Sequence, residues 1–254
     1  MPTTPSIDFA YPWWLTNGHL IVLVPAFAAL ALVWVRKWKT WIIAVLALIT
    51  LWAGISFFAL RSLELNNRAP KLLTENFLRS GTGKVLDIGA GTGRSSIMVL
   101  MARPQVTLVA SDLFADSFNN HFGADGRPQD RLLNNLKAAG VDNRATIETA
   151  DMRKLPFDAA SFDGIVSAYA MDHVGRDGAK QALAEANRVL KPGGEFLLIL
   201  VENDLWTKFA FGPLLSHGGT RGAGWWKQRA QEAGFQTVEE GAVPATIYLL
   251  LKRP

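Results

Sequence analysis

The chain has no cysteine and only four histidines. The first absence excludes disulfides, thiolate metal sites and a cysteine nucleophile, and it leaves the compartment open. The histidines (His19, His121, His173, His217) stand far apart, none at the spacing of metal ligands, so no metal site is expected. Charge of one sign is scarce too: 26 basic residues face 22 acidic ones, and no cluster of Lys or Arg marks a nucleic-acid surface. Internal repeats and low-complexity tracts are missing. The length, 254 residues, suits one medium α/β domain with an addition.

What is abundant comes first in the chain. Residues 20–35 are apolar throughout, with Pro25 inside, and residues 41–60 carry only Thr50 and Ser56 as polar side chains. At ~1.5 Å rise per residue the second stretch reaches roughly 30 Å as a helix, the thickness of a bilayer core. Tyr11, Trp13 and Trp14 mark one interface, Trp34, Trp38 and Trp41 the other, with Arg36, Lys37 and Lys39 in the connection. Residues 1–62 therefore read as a membrane hairpin with spans at about 15–35 and 41–60. A cleaved signal peptide lacks its basic start here. Two buried helices of a soluble core, or a re-entrant first segment bent at Pro25, are the other readings. Basic residues on the two sides (Arg36, Lys37, Lys39 against Arg61, Arg68, Lys71, Arg79) nearly cancel, so charge does not orient the hairpin.

Residues 63–254 alternate strand and helix signals. Val85-Leu-Asp-Ile88 is a short buried strand, Gly89-Ala-Gly-Thr-Gly93 a tight turn, and 92–102 a helix. Such a turn needs glycine where φ is positive or where a ligand lies against the backbone. Strand, glycine turn and helix N-terminus together make a nucleotide-type site. Arg94 occupies the place of the third glycine of a dinucleotide fingerprint, which argues against a nicotinamide oxidoreductase. A short helix is expected over 72–78, then strands at 105–111, 145–149, 162–167, 195–201, 235–239 and 246–252. Helices are expected at 131–139, 180–190 and 223–233, with Lys191-Pro-Gly-Gly194 as a stop and turn. Asp112 ends the second strand, placed to accept ribose hydroxyls; capping the next helix is its alternative role. Residues 113–130 (Phe114, Phe118, Phe122, Asn119, Asn120) and 201–226 (Trp206, Phe209, Phe211, His217, Trp225, Trp226) are long insertions, read as an apolar cap or as plain surface.

These motifs, in this order, resemble the class I S-adenosylmethionine-dependent methyltransferases over about 72–254. Val85 to Gly93, Asp112, Asp151-Met152, Phe162-Asp-Gly-Ile-Val-Ser167 and Val189-Leu-Lys-Pro-Gly-Gly194 carry the likeness. The resemblance implies a doubly wound, mostly parallel seven-stranded sheet ending in a hairpin, and S-adenosylmethionine as cofactor with S-adenosylhomocysteine as product. Asp87, Gly89, Ala90, Gly91, Gly93, Asp112, Leu113, Asp151, Met152 and Ser167 would contact it, Asp151-Met152 at the adenine. Asp172 and His173, just past the fourth strand, are the candidates for a general base, with Tyr169, His121 and His217 behind them. Since the cofactor is cytosolic, the resemblance turns the large domain to the cytoplasmic side of the membrane. The expected activity is methyl transfer to a small hydrophobic or lipid-like acceptor (thiol, amine, phenol or quinone type). A non-catalytic sensor or scaffold is the alternative, and a homo-oligomer through the hairpin stays open.

Overall fold

The computed structural model describes residues 6–11, 13–61, 66–115, 127–211 and 221–254. His121, His217, Phe118, Phe122, Asn119 and Asn120, and the side chain of Phe211, lie outside the described residues. The described residues fall into two compact units: 6–10, 67–115, 127–203 and 221–254 in one, and 11, 13–61, 66 and 204–211 in the other. The sequence reading divided the chain at residue 62; the units differ in giving residues 6–10 to the sheet and 204–211 to the hairpin.

The smaller unit is built on α1 (Trp13–Val35) and α2 (Thr40–Arg61). Pro25 does not break α1. Small and short side chains (Ala26, Ala53, Ser56) are buried where the two helices meet, and a Cβ at Gly54 would touch Leu23 at 3.8 Å. Their outer faces are bare: Ile21, Val24, Phe27, Leu48 and Phe58 are exposed. Both helices are long and apolar enough to cross a membrane. A third helix, α6 (Leu205–Phe211), joins this unit: the Trp52 indole donates to the Phe209 carbonyl at 2.7 Å, and His19 bonds the Ala210 backbone and stacks edge-on against Trp52. Sequence periodicity gave no helix there, because seven residues span barely two turns.

The larger unit is a seven-stranded sheet in the order β3-β2-β1-β4-β5-β7-β6. Its strands are β1 (Thr82–Ile88), β2 (Gln105–Asp112), β3 (Ala145–Thr149), β4 (Phe162–Ala168), β5 (Leu190–Val201), β6 (Gln236–Val243) and β7 (Thr246–Lys252). Pairing is parallel from β3 to β5, and β7 runs antiparallel to both neighbours. The helices are α3 (Arg94–Ala102), α4 (Pro128–Ala138), α5 (Gly175–Val189) and α7 (Ala223–Glu232). Leu86, Ile88, Ile165, Phe196, Leu198 and Leu249 form one buried cluster with Ala182, Leu183 and Ala186 of α5 and Trp226 of α7. Alternation along β1 therefore sends Asp87 to the opposite face, toward α3.

Two local expectations differ from the structure. Residues 75–80 are turns instead of a helix, since Arg103 takes the carbonyls of Glu75 and Phe77 and the Glu195 carboxylate takes the Leu78 N–H. Those partners replace the i→i−4 bonds of a helix. Residues 191–194 do not end a helix in a free turn. They bulge within β5, between the Phe162–Leu190 and Gly164–Glu195 pairs, and Gly193 (φ 77°) donates to the Arg253 carbonyl at 2.8 Å. The Arg253 guanidinium in turn reaches the Asn187 and Leu190 carbonyls, orphaned at the end of α5.

Candidate active site

The glycine turn closes on its neighbours one residue at a time. Gly89, Gly91 and Gly93 all have positive φ (74°, 54° and 92°). A Cβ at Gly89 would overlap Ala170, and one at Gly93 would overlap Leu132, so packing alone demands glycine at both. Gly91 is different. A Cβ there would meet nothing within 4 Å, so its bare backbone borders open space, where a ligand can approach.

Acidic residues hold this turn. Asp112, at the end of β2, accepts from the Gly91 N–H at 2.9 Å through one oxygen and from the Phe114 N–H at 3.1 Å through the other. The Gly89 and Ala90 N–H groups go to the Ser111 carbonyl, at 2.8 and 3.0 Å. Asp87 is fully buried; its Oδ2 receives the Ser95 and Ser96 hydroxyls at 2.7 and 2.6 Å, and its Oδ1 has no partner. Burial pushes its pKa up to about 7, with the nearby Asp112 charge adding and the serine bonds opposing.

The remaining expected contacts spread around the same sheet edge. Leu113, after β2, is exposed. Met152 lies beside Gly89: its Cε is 3.3 Å from where a Gly89 Cβ would be. Asp151 is held by its neighbour Arg153, whose guanidinium reaches it at 2.6 Å; that bond leads the causes keeping its pKa below the usual carboxylate value. Ser167 is wholly buried and donates to the Ile88 carbonyl at 2.8 Å, tying β4 to the end of β1.

The expected base pair is split. Asp172 points inward, 6% exposed, with Oδ1 unpartnered, whereas His173 is exposed. Burial leads the causes that lift the Asp172 pKa; its own backbone N–H, His173 and Arg221 act in the other direction. Tyr169 sits in the left-handed region (φ 53°) and bonds Thr246 through its hydroxyl at 2.8 Å. Two groups were missed in the sequence. Arg221 reaches the electrostatic surroundings of Asp172 from 49 positions further along the chain. Residues 6–10 pack against the glycine turn. Asn135 of α4 accepts from the Asp8 N–H at 2.7 Å and donates to the Asp8 and Thr92 carbonyls, both at 2.8 Å. Phe9 is buried, with the Arg94 guanidinium over its ring at 5.5 Å. A five-residue segment ahead of an apolar run is too short to carry a periodic signal, so only the fold reveals it.

Comparison with known proteins decides what this edge is. Residues 85–194 match the family model described as a methyltransferase domain. Over this stretch the chain is similar to methyltransferase domains, and with the named relatives the match supports methyl transfer from S-adenosylmethionine. Among curated relatives, the demethylmenaquinone methyltransferase of Deinococcus radiodurans is 33% identical over 116 residues, covering 46% of this chain and 42% of that protein. A ubiquinone/menaquinone biosynthesis C-methyltransferase of a Geobacter species is 28% identical over 141 residues, covering 55% and 54%. The chain thus spans about half the length of the curated relatives it matches. A solved O-methyltransferase family 2 protein from Planctomyces limnophilus, in complex with apigenin, superposes with a TM-score of 0.57 at 16% identity, covering 80% of this chain and 59% of that one. An O-methyltransferase family protein from Burkholderia thailandensis gives 0.56 at 15% identity, covering 94% and 71%. At such identities the structural likeness establishes the class I fold.

S-adenosylmethionine, the methyl donor of this class, fits the residues present. Its nucleoside and tail need a backbone without side chains, which Gly91 offers, and an acceptor for ribose hydroxyls, which Asp112 offers at the end of β2. The unpartnered Asp87 Oδ1 beside the turn is a further polar atom in want of a donor.

Proposed function

We propose that the protein is a membrane-anchored methyltransferase moving a methyl group from S-adenosylmethionine to a small hydrophobic acceptor of phenol or quinone type, with thiols and amines as the other acceptor chemistries. The observation that carries this reading is the open backbone at Gly91, whose N–H is held by Asp112, in a turn packed against Ala170 at Gly89 and against Leu132 at Gly93. The names of the curated relatives, which act on quinone precursors, support the acceptor class.

When bound, the sulfonium supplies an electrophilic methyl carbon; the chain's task is alignment and the exclusion of water. Asp112 keeps the turn shaped and presents carboxylate lone pairs to the sugar. Leu113 and Met152 are the apolar sides of the adenine region. Asp151 is the acceptor for the adenine amine, and Arg153 fixes its carboxylate meanwhile. Gly89, Ala90 and Gly93 set the turn's path, Asp87 carries its polar atom beneath it, and Ser167 keeps the β1–β4 edge closed. Asp172 and His173 are the groups for removing a proton from the acceptor.

The exposed apolar faces of α1 and α2 support membrane insertion, because helices in a soluble core hide such faces. The hairpin takes residues 1–62 and the catalytic domain 63–254, on the cytoplasmic side where the cofactor is found. Assembly through the hairpin belongs to the same reading. Isothermal titration of the detergent-solubilised chain with S-adenosylmethionine tests cofactor use, and radiolabelled methyl transfer to membrane extracts tests catalysis. Binding without transfer to any acceptor would favour a sensor or scaffold; no saturable binding would remove the reading.

A further inference from the structure

The short helix α6 leaves bare an apolar face that nothing in the methyltransferase reading uses. Leu205, Trp206 and Phe209 are exposed, Leu205 by 85%, and the rings of Trp206 and Phe209 stack with centroids 5.8 Å apart. Around the helix axis the three fall within an arc of about 100°, the width of an apolar stripe. Thr207 and Ala210 lie outside that arc and are buried. Lys208 stands at its border and is exposed.

So short a helix does not hold itself in water, where about 12–15 residues are needed. Contacts at both ends hold it instead. Asp204 caps the start, accepting from the Thr207 N–H at 2.6 Å. Toward the other end the Phe209 carbonyl, one of those a helix terminus leaves free, accepts from the Trp52 indole of α2 at 2.7 Å. Trp52 in turn meets His19 of α1 edge-on, with ring centroids 5.4 Å apart.

These contacts set the level of α6 along the hairpin. The apolar spans are Asn17–Val35 and Thr40–Ala59, and the chain runs on to the strands of the sheet from the Asn17 and Ala59 ends. Trp52 lies seven residues inside Ala59, and His19 two inside Asn17. At ~1.5 Å per residue these are depths of roughly 10 Å and 3 Å below the edge of the spans. An amphipathic helix in a membrane surface buries its apolar face about 5–10 Å into the boundary between headgroups and acyl chains. The level at which α6 docks falls in that band. Its composition suits the place as well: a tryptophan prefers the interface, and the Lys208 stem can carry its charge back to the headgroups.

Resting on the reading of α1 and α2 as membrane spans, we propose that α6 is a third membrane element, whose Leu205, Trp206 and Phe209 face lies among the lipids at the headgroup boundary of the leaflet nearest Asn17 and Ala59. Three residues separate the end of β5 at Val201 from Leu205. The chain therefore dips into the leaflet between the fifth strand and α7. The insertion at 201–226 begins as an anchor, and the sheet is tied to the membrane at two places in the sequence, ahead of β1 and after β5.

The absence of cysteine makes the test clean, because one introduced cysteine takes one nitroxide label. The full chain is reconstituted in phosphatidylcholine vesicles with the label at Leu205→Cys or, in a second variant, at Phe209→Cys. Leu48→Cys, on the exposed face of α2 near mid-span, is the lipid standard, and Lys180→Cys, exposed on α5, is the water standard. Power saturation by oxygen, which concentrates in hydrocarbon, and by a neutral nickel chelate, which stays in water, reads where each label sits. At Leu205 and Phe209 the ratio of oxygen to nickel collisions is expected to be several-fold above that at Lys180 and below that at Leu48. Ratios at the Lys180 level, with Leu48 in lipid, would place the face in water and overturn the proposal. Labels shielded from oxygen and nickel alike would mean a protein cover, a second copy or a partner, and overturn it equally. If one labelled variant fails to enter the vesicles, the other decides. A Leu48 label that meets nickel as freely as the Lys180 label removes the membrane reading of the hairpin itself, and this inference with it.

Discussion

Replacing Asp87 by Asn isolates the cost of burying an acid under the glycine turn. In the folded chain this carboxyl is fully buried and its pKa stands at about 7, against an ordinary value of 3.8. The folded state thus holds a proton that the unfolded chain has given up. Stability from this group is fully present below pH 3.8, declines as the pH rises, and is lost once the pH passes about 7. A shift of roughly three units corresponds to ~4 kcal/mol at 1.36 kcal/mol per unit. An Asn side chain keeps an oxygen for the Ser95 and Ser96 hydroxyls and has no proton to lose. At pH 8 the variant should therefore be more stable than wild type by about 2–4 kcal/mol, and near pH 4 equal or slightly weaker, by at most ~1 kcal/mol for altered hydrogen bonds. Thermal unfolding in detergent, without cofactor, from pH 4 to pH 8 reads this directly. At about 2–4 °C per kcal/mol, the two midpoints should part by roughly 4–16 °C at the alkaline end. Parallel curves for the two proteins across that range would refute the argument, since the slope would then come from other groups.

Gly91→Ala should cost only about 1 kcal/mol of stability for its left-handed backbone, while S-adenosylmethionine affinity falls by ~10-fold or more, as 1.4 kcal/mol of lost contact gives; retained affinity in a titration would mean the donor lies elsewhere. Asp112→Ala removes the acceptor for the Gly91 and Phe114 N–H groups as well as the sugar's partner, and is expected to weaken cofactor binding about 10- to 100-fold, at roughly 1–3 kcal/mol. His173→Ala should spare cofactor affinity and lower turnover; unchanged turnover would leave Asp172 as the base without it. Phe9→Ala should lower the thermal midpoint, at a cost of about 3 kcal/mol for a buried phenylalanine, and an unchanged midpoint would show that residues 6–10 do not brace the turn.

The sequence by itself determined the parts whose signals are local. Apolar runs of 16 and 20 residues can hardly be anything but long helices, and both were found as such. The glycine turn, the strands and the closing antiparallel hairpin follow from short-range periodicity and turn chemistry, and the sheet order agrees with them. Tertiary structure decided whatever depends on contacts between distant residues. Residues 75–80 left the helical pattern because Arg103 and Glu195 claimed their backbone groups. The 191–194 segment became a bulge because Arg253 pairs with it from the far end of the chain. Asp172 and His173 are adjacent in sequence, yet one is buried and the other exposed, since a short turn aims neighbouring side chains in different directions. Arg221 and residues 6–10 join the site only through folding: position along the chain does not encode the field of a distant guanidinium or the reach of a buried asparagine.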